Sequence, residues 1–415
     1  MQKKWKSIEL AVVSLGLALA LILGSVVPAK AAGPERKVKI GLHAGFVGPV
    51  ASTIAGMCQG QMDASEYLNK QGGINGIRVD VLWYETGRAP IPEAIIAHKR
   101  FKDAGVVCEI ANFTMQGEAL VPRLQRDEIP LFLEDPLIET LITKPQWIFG
   151  IDCTWDVELA NAAKWFKENW TEARPPRLGL MLYDNSESRS FYMGRALPYT
   201  EEIGFEFVGY EVVPLLGTID TSVEWLRLAN KKPDLIFAMI YGSSQTTAIR
   251  DAARLGIQEK GIALCGSMAF VDVWSLRSAG AGALEGWYGT MPLAHELFPA
   301  VAGAKPIVEV AARKRGWMTP EEISIHYVGG WITVMLIHEG IRLALETVGL
   351  ENLTGRAVRD GLTNIKDFDL RLGIAPVTMT DSRPYWNRGG YIEQVQQGKI
   401  VKLTGWRENV YNLEY

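Results

Sequence analysis

The chain has 415 residues, with 48% apolar and 22% charged side chains and a formal charge of −4. That is enough chain for more than one domain and a sizeable core, and it excludes a disordered or low-complexity polypeptide. A mildly acidic balance also argues against nucleic acid or an anionic membrane surface as partner.

Residues 1–31 stand apart. Lys3, Lys4 and Lys6 precede an almost wholly apolar run from Leu10 to Val27, which ends in Pro28-Ala29-Lys30-Ala31. A basic start, an apolar centre and a small-x-small step describe a secretory signal peptide cleaved after Ala31. The run is also long enough to be kept as a membrane anchor. Cleavage removes four lysines and one glutamate, so the mature chain is more acidic still.

From Lys37 the chain alternates between strand and helix patterns. "KVKIGLH" (37–43) is a strand, and residues 53–69 place apolar side chains three and four apart, as on one helix face. "NKQGGING" (69–76) ends that helix with glycines and leads into the strand "IRVDVLWYE" (77–85). The order then continues as helix 92–104, strand "VVCEIA", helix 115–128 and strand "IPLFLE". A second series runs from helix 156–170 through "RLGLMLYD", 189–203, "FEFVGYEVV", 219–230, "PDLIFAMIY", 244–255 and "GIALCG". Repeated βα order predicts parallel sheets with helices on both faces, an α/β fold.

Residues 299–363 are mainly helical, with Thr319-Pro320-Glu321-Glu322 as a helix start. The last fifty residues predict strands at "RLGIAPVTMT" (371–380), "GGYIEQVQQ" and "KIVKLTGW", with "QQGK" as a hairpin turn.

A catalytic constellation does not emerge. His43, His98, His295, His326 and His338 form no HExxH or HxH pair. His98 shares a helix face with Ala94, Ala97 and Phe101 and reads as a core histidine. "YGSSQ" lacks the second glycine of a nucleophile elbow, and "AGAGALEG" (279–286) misses the GxGxxG spacing and precedes a strand. Glu134-Asp135 is a weak acid/base pair, because adjacent side chains diverge. Cys58, Cys108, Cys153 and Cys265 are small buried hydrophobes, or Cys58 and Cys108 form a disulfide.

Polar and aromatic residues gather instead at the ends of strands. They are "FVG" (46–48), "NFT" (112–114), "LED" (133–135), "YDN" (183–185), "YGSS" (241–244) and "GSMAF" (266–270). Parallel sheets bind ligands at such ends, beside helix N-termini. Thr114 suits that role, or that of an ordinary N-cap.

Read in order, the segments "VKIGLHAGFVGPVA", "ASEYLNKQGGINGIRVDVLWYE", "ALVPRLQRDEIPLFLEDP", "IDTSVEWLRLANKKPDLIFAMIYGSSQTTAIRDAARLGI", "SAGAGALEGWYGTMP" and "LTGRAVRDGLTNIKDFD" resemble the type I solute-binding receptors of ABC transporters for branched-chain amino acids and amides. The resemblance spans nearly all of the mature chain. It implies two Rossmann-like lobes joined by three crossings, near 149–153, 286–291 and 363–368. Lobe one would hold 32–150 and 288–365, and lobe two 151–287 and 366–415. It also implies a periplasmic or secreted monomer that captures a small molecule between its lobes, closes about the hinge and docks on a membrane permease. Neither a cofactor nor a covalent step is implied, which leaves a sensor on the same fold as the alternative and a hydrolase as the less favoured one.

The resemblance places ligand contacts at Phe46, Gly48, Asn112, Phe113, Thr114, Glu134, Asp135, Cys153, Thr154, Trp155, Tyr241, Ser267 and Met268, and at Tyr192, with Phe191 its rival. One departure concerns charge. Amino-acid receptors of this kind carry a carboxylate near Ser267–Met268 for the ligand's ammonium group, whereas this chain has no acid there until Asp272. Either Glu134 or Asp135 supplies it from the other lobe, or the ligand has no ammonium group. The aromatic lining suits an apolar or aromatic small acid, or an amide.

Overall fold

The computed structural model describes residues 36–48, 51–88, 90–133, 146–150, 155–184, 188, 195–214, 218–268, 270–293, 300–317, 319, 322–385 and 388–411. Two sheets organise them. The first is wholly parallel and built from β1 (Lys37–Ala44), β2 (Arg78–Glu85), β3 (Cys108–Ala111), β4 (Leu131–Leu133) and β5 (Ile148–Gly150), in the order β2-β1-β3-β4-β5. Helices α1 (Ala51–Lys70), α2 (Pro90–Asp103) and α3 (Thr114–Asp127) connect its strands. Ile40, Leu42, Ile110 and Phe132 are completely buried, as expected of strands covered on both faces.

The turn from α1 to β2 shows why its sequence is glycine-rich. Gly72, Gly73, Asn75 and Gly76 all have positive φ, and a Cβ on Gly73 would come within 2.2 Å of the Ile77 carbonyl oxygen. Asn69 fixes the register by pairing with the Val79 backbone both as donor and as acceptor, each at 2.9 Å.

The second sheet begins after α4 (Trp155–Glu168). It contains β6 (Arg177–Tyr183), β7 (Glu206–Val213), β8 (Leu235–Met239), β9 (Ala263–Gly266), β10 (Tyr288–Met291), β11 (Gly389–Gln396) and β12 (Lys399–Lys402), in the order β12-β11-β10-β9-β8-β6-β7, with β13 (Arg407–Glu408) beside β11. β6 to β10 are parallel, and β11 and β12 run antiparallel. Helices α5 (Ala196–Glu202), α6 (Ser222–Asn230), α7 (Gly242–Arg254), α8 (Val273–Ala279) and α9 (Ala281–Leu284) lie between its parallel strands. Tyr288–Met291 is thus a strand of the second sheet, paired on both sides. The predicted "QQGK" turn is present: Gln397 and Gly398 both have positive φ, the geometry of a two-residue type I′ hairpin.

Among the described residues, three further α-helices follow β10: α10 (Ala304–Arg315), α11 (Ile325–Val348) and α12 (Gly355–Leu362). α11 is long and apolar enough to cross a membrane, yet most of it is buried, packed along α1 and α12. The helices approach through glycines: a Cβ on Gly60 would lie 2.1 Å from the Tyr327 oxygen, and one on Gly330 would lie 2.3 Å from the Met57 oxygen. Asp63, buried in α1, accepts the Tyr327 hydroxyl (2.9 Å), Lys314 Nζ (3.0 Å) and the Arg315 guanidinium (2.9 Å), tying α10 and α11 to the first lobe.

The long helix starts at Ile325, capped by Ser324; the helix start expected at Pro320 lies outside the described residues. One expectation is corrected. Residues 371–380 form no strand. Asp367, Arg371 and Gly373 have positive φ, and only isolated pairings such as Phe368–Val377 hold the segment. Alternating apolar residues there serve a folded-back loop. Cys58, Cys108 and Cys265 are buried thiols in no disulfide, so the Cys58–Cys108 bridge is absent and the buried-hydrophobe reading holds for these three. Cys153 lies outside the described residues.

Candidate ligand-binding cleft

The first-lobe candidates sit where β1, β2 and β3 end. Phe46 donates its amide to Glu85 Oε2 (2.9 Å), while the other Glu85 oxygen accepts the Gly87 amide (2.8 Å). This carboxylate therefore shapes the loop. The Phe46 ring meets Trp83 edge-on at 5.6 Å. Gly48 has φ +102°, and a Cβ there would lie 2.2 Å from the Gly87 carbonyl oxygen, so it serves loop packing. Asn112 is taken up by the scaffold. Its amide donates to the His43 oxygen (3.2 Å) and the Cys58 sulfur (3.3 Å), and its oxygen accepts from Gln61 (3.0 Å).

Thr114 is the first residue of α3, and Phe113 is the N-cap, with no side-chain cap hydrogen bond. The ordinary N-cap reading of Thr114 is thereby replaced: its hydroxyl is buried at the positive end of a helix that lacks a side-chain cap. Behind these residues, Glu109 is fully buried and accepts from His43 Nε2 and His98 Nδ1, each at 2.8 Å. His98 reaches Asp127 at 3.0 Å, confirming it as a satisfied core histidine. Burial opposes its charged form, but the Glu109 and Asp127 carboxylates outweigh that and raise its pKa.

The second-lobe candidates form an aromatic corner. Trp155 opens α4, and its ring lies 5.2 Å from Tyr241, which is also 5.5 Å from Tyr183 at the end of β6. Tyr241 is the N-cap residue of α7, again without a side-chain cap hydrogen bond. Ser267 follows β9. Its hydroxyl and the Trp155 indole nitrogen are buried and have no hydrogen-bond partner among the described residues. Met268 donates its amide to Glu158 Oε2 (3.0 Å), which also accepts the Thr290 hydroxyl (3.1 Å).

Glu134, Asp135, Cys153, Thr154, Phe191 and Tyr192 lie outside the described residues. Among the described candidates none carries a charge at neutral pH. Tyr183 belongs to the strand end "YDN" that the sequence offered, though not to the contacts the resemblance places; sequence reasoning missed Glu158, which gave no signal because its partners lie 110 and 132 residues away.

Residues 37–399 of the chain match a family model described as periplasmic binding protein. The chain belongs to the periplasmic binding protein family. None of the curated proteins matches it in sequence. Among solved structures, this binding protein is similar to a branched-chain amino acid ABC transporter protein from Thermus thermophilus with bound valine, at 17% identity and TM-score 0.77, over 91% of this chain and 97% of that one. A solute-binding protein from R. palustris in complex with 4-hydroxybenzoate shares 17% identity and TM-score 0.75, covering 91% and 98%. A fatty acid ABC transporter substrate-binding protein from Thermomonospora curvata shares 17% identity and TM-score 0.77, covering 91% and 95%. These likenesses bear out the two-lobed α/β fold.

Proposed function

We propose that this chain is an extracytoplasmic solute receptor. In this reading it is freed from its leader after Ala31, works as a monomer, and holds one small organic molecule between its lobes for delivery to an ABC transporter permease. The observation that carries the reading is the pairing of unspent polar groups with aromatic walls. The Ser267 hydroxyl and the Trp155 indole N–H lack partners, beside Tyr241 and Tyr183. Buried donors of this kind are costly to leave unpaired, and a ligand oxygen would satisfy them. Thr114, at the start of α3, supplies a second site for an oxygen from the first lobe.

The ligand class follows from the aromatic walls. An aromatic or aliphatic carboxylate or an amide fits these walls, and an amino acid fits them if Glu134 or Asp135 meets its ammonium group; the solved neighbours with valine and 4-hydroxybenzoate and the fatty acid receptor span that range. Ligand bound to both lobes would stabilise the closed form over the open one. The first and third crossings would lie near 149–153 and 363–368, and the second after Met291 instead of at 286–291, because Tyr288–Met291 pairs within the second sheet. At one of them Gly150 donates to Pro384 O (2.7 Å), holding two chain segments side by side.

The test is to denature the purified protein, identify released small molecules by mass spectrometry, and return each one to the stripped protein while following Trp fluorescence. A released carboxylate or amide that rebinds unchanged supports the reading. Turnover of the molecule, or no binding across a panel of amino acids, benzoates and fatty acids, would defeat it.

A further inference from the structure

We propose that Asp272 is an interlobe latch, holding the two lobes together by capping one helix from each. The proposal rests on the reading above only in taking the lobes to be separable bodies.

Asp272 follows β9 and is wholly buried. It is the N-cap of α8, and its Oδ2 accepts the Trp274 amide (3.3 Å). α8 belongs to the second lobe: Gln245 of α7 donates to Ser275 there (2.7 Å). The same carboxylate also reaches α11. Its Oδ2 accepts the Ser324 hydroxyl (2.7 Å) and its Oδ1 accepts the Ile325 amide (3.1 Å). Ser324 is itself the N-cap of α11, and α11 is packed backbone to backbone on α1 of the first lobe. One negative group thus stands at the N-termini of helices from both lobes, where it meets two positive dipole ends and three hydrogen-bond donors.

The physical consequence is directional. While the lobes touch, the carboxylate, the Ser324 hydroxyl and the Ile325 amide satisfy one another without water. Separating the lobes would break two charge-assisted hydrogen bonds at once and hydrate both ends. Nearby, Arg277 of α8 lies 3.9 Å from Glu322, just ahead of α11. That pair spans the same seam but is solvent-exposed, so it contributes little and is screened by salt. The acid that the sequence offers nearest to Ser267 is therefore committed to the opposite lobe. It sets how readily the lobes part before any solute arrives.

The test is solution scattering from the full chain stripped of small molecules, comparing wild type with Asp272→Asn, Ser324→Ala and the double variant. Asparagine keeps a capping oxygen for α8, and Ser324→Ala keeps the carboxylate, so the two singles probe the latch without removing both caps. Loss of the charge should shift the closed-to-open ratio roughly tenfold to a hundredfold. Both singles should then have a larger radius of gyration than wild type, and the double variant should add little to Asp272→Asn. Arg277→Ala should change the radius slightly, and only at low salt. Radii equal to wild type, with at most a lower melting temperature, would overturn the latch and leave Asp272 as a structural cap. Scattering needs no ligand. If nothing is found bound to the wild type while the variants still expand, the receptor reading falls and the latch stands.

Discussion

Glu158 Oε2 receives the Met268 amide at 3.0 Å, joining the first turn of α4 to the loop that carries Ser267. The same oxygen receives Thr290 of β10 at 3.1 Å, so one buried carboxylate holds the Ser267–Met268 loop against β10. Glu158→Ala leaves a buried amide and a buried hydroxyl short of an acceptor and should cost about 2–4 kcal/mol of stability. Glu158→Gln keeps an acceptor oxygen and should cost less. Chemical denaturation of both variants checks the ranking; equal losses would mean that the carboxylate oxygen does not hold the loop.

Truncations in the cleft should divide by role. Ser267→Ala and Thr114→Val should weaken solute binding by about tenfold each, about one hydrogen bond, while melting temperature barely moves. Tyr241→Ala removes a cleft wall and should cost more. Asn112→Ala should lower stability first, because its amide and oxygen are both engaged by β1 and α1. Calorimetric titration beside thermal melts separates the two classes.

His338 in α11 is buried, and burial pushes its pKa down from 6.5 to about 4. An unfolded chain binds that proton more readily, so above pH 6.5 the group is neutral in both states and costs nothing. Stability should be lost as pH falls from 6.5 towards 4, by up to about 3 kcal/mol. Denaturant midpoints across that range should fall less steeply in His338→Leu than in wild type.

His98 should show the opposite sign. Its folded pKa is raised, so the stability it contributes is complete below pH 6.5 and declines as pH rises through the folded value. His98→Gln should therefore be more destabilising at pH 6 than at pH 9. A penalty that does not depend on pH would show that the ring is uncharged in its site.

The contact between α1 and α11 makes a sharp paired prediction. Gly60→Ala drives a methyl into the Tyr327 backbone and should cost about 3 kcal/mol, since backbone cannot step aside as a side chain can. Gly56→Ala, one turn earlier in the same helix, meets nothing within 4 Å and should be neutral or stabilising by about 0.5–1 kcal/mol. Thermal melts of the two variants would decide it.

Much of this architecture was legible in the sequence because it is local. Helical spacing in 53–69, the glycines after Asn69 and the Gln397-Gly398 turn each act within a few residues, and each lies where the pattern placed it. The chain's repeated strand–helix order determined the parallel sheets for the same reason. Tertiary structure decided what depends on distant partners. It assigned Tyr288–Met291 to the second sheet, folded 371–380 into a loop, and engaged Asn112 in hydrogen bonds with Gln61 and His43. It also gave Glu158 and Asp272 their partners. A carboxylate reads alike in sequence whether it meets water, a ligand or a helix end; only folding brings Ser324, 52 residues on, to Asp272 and removes the water between them.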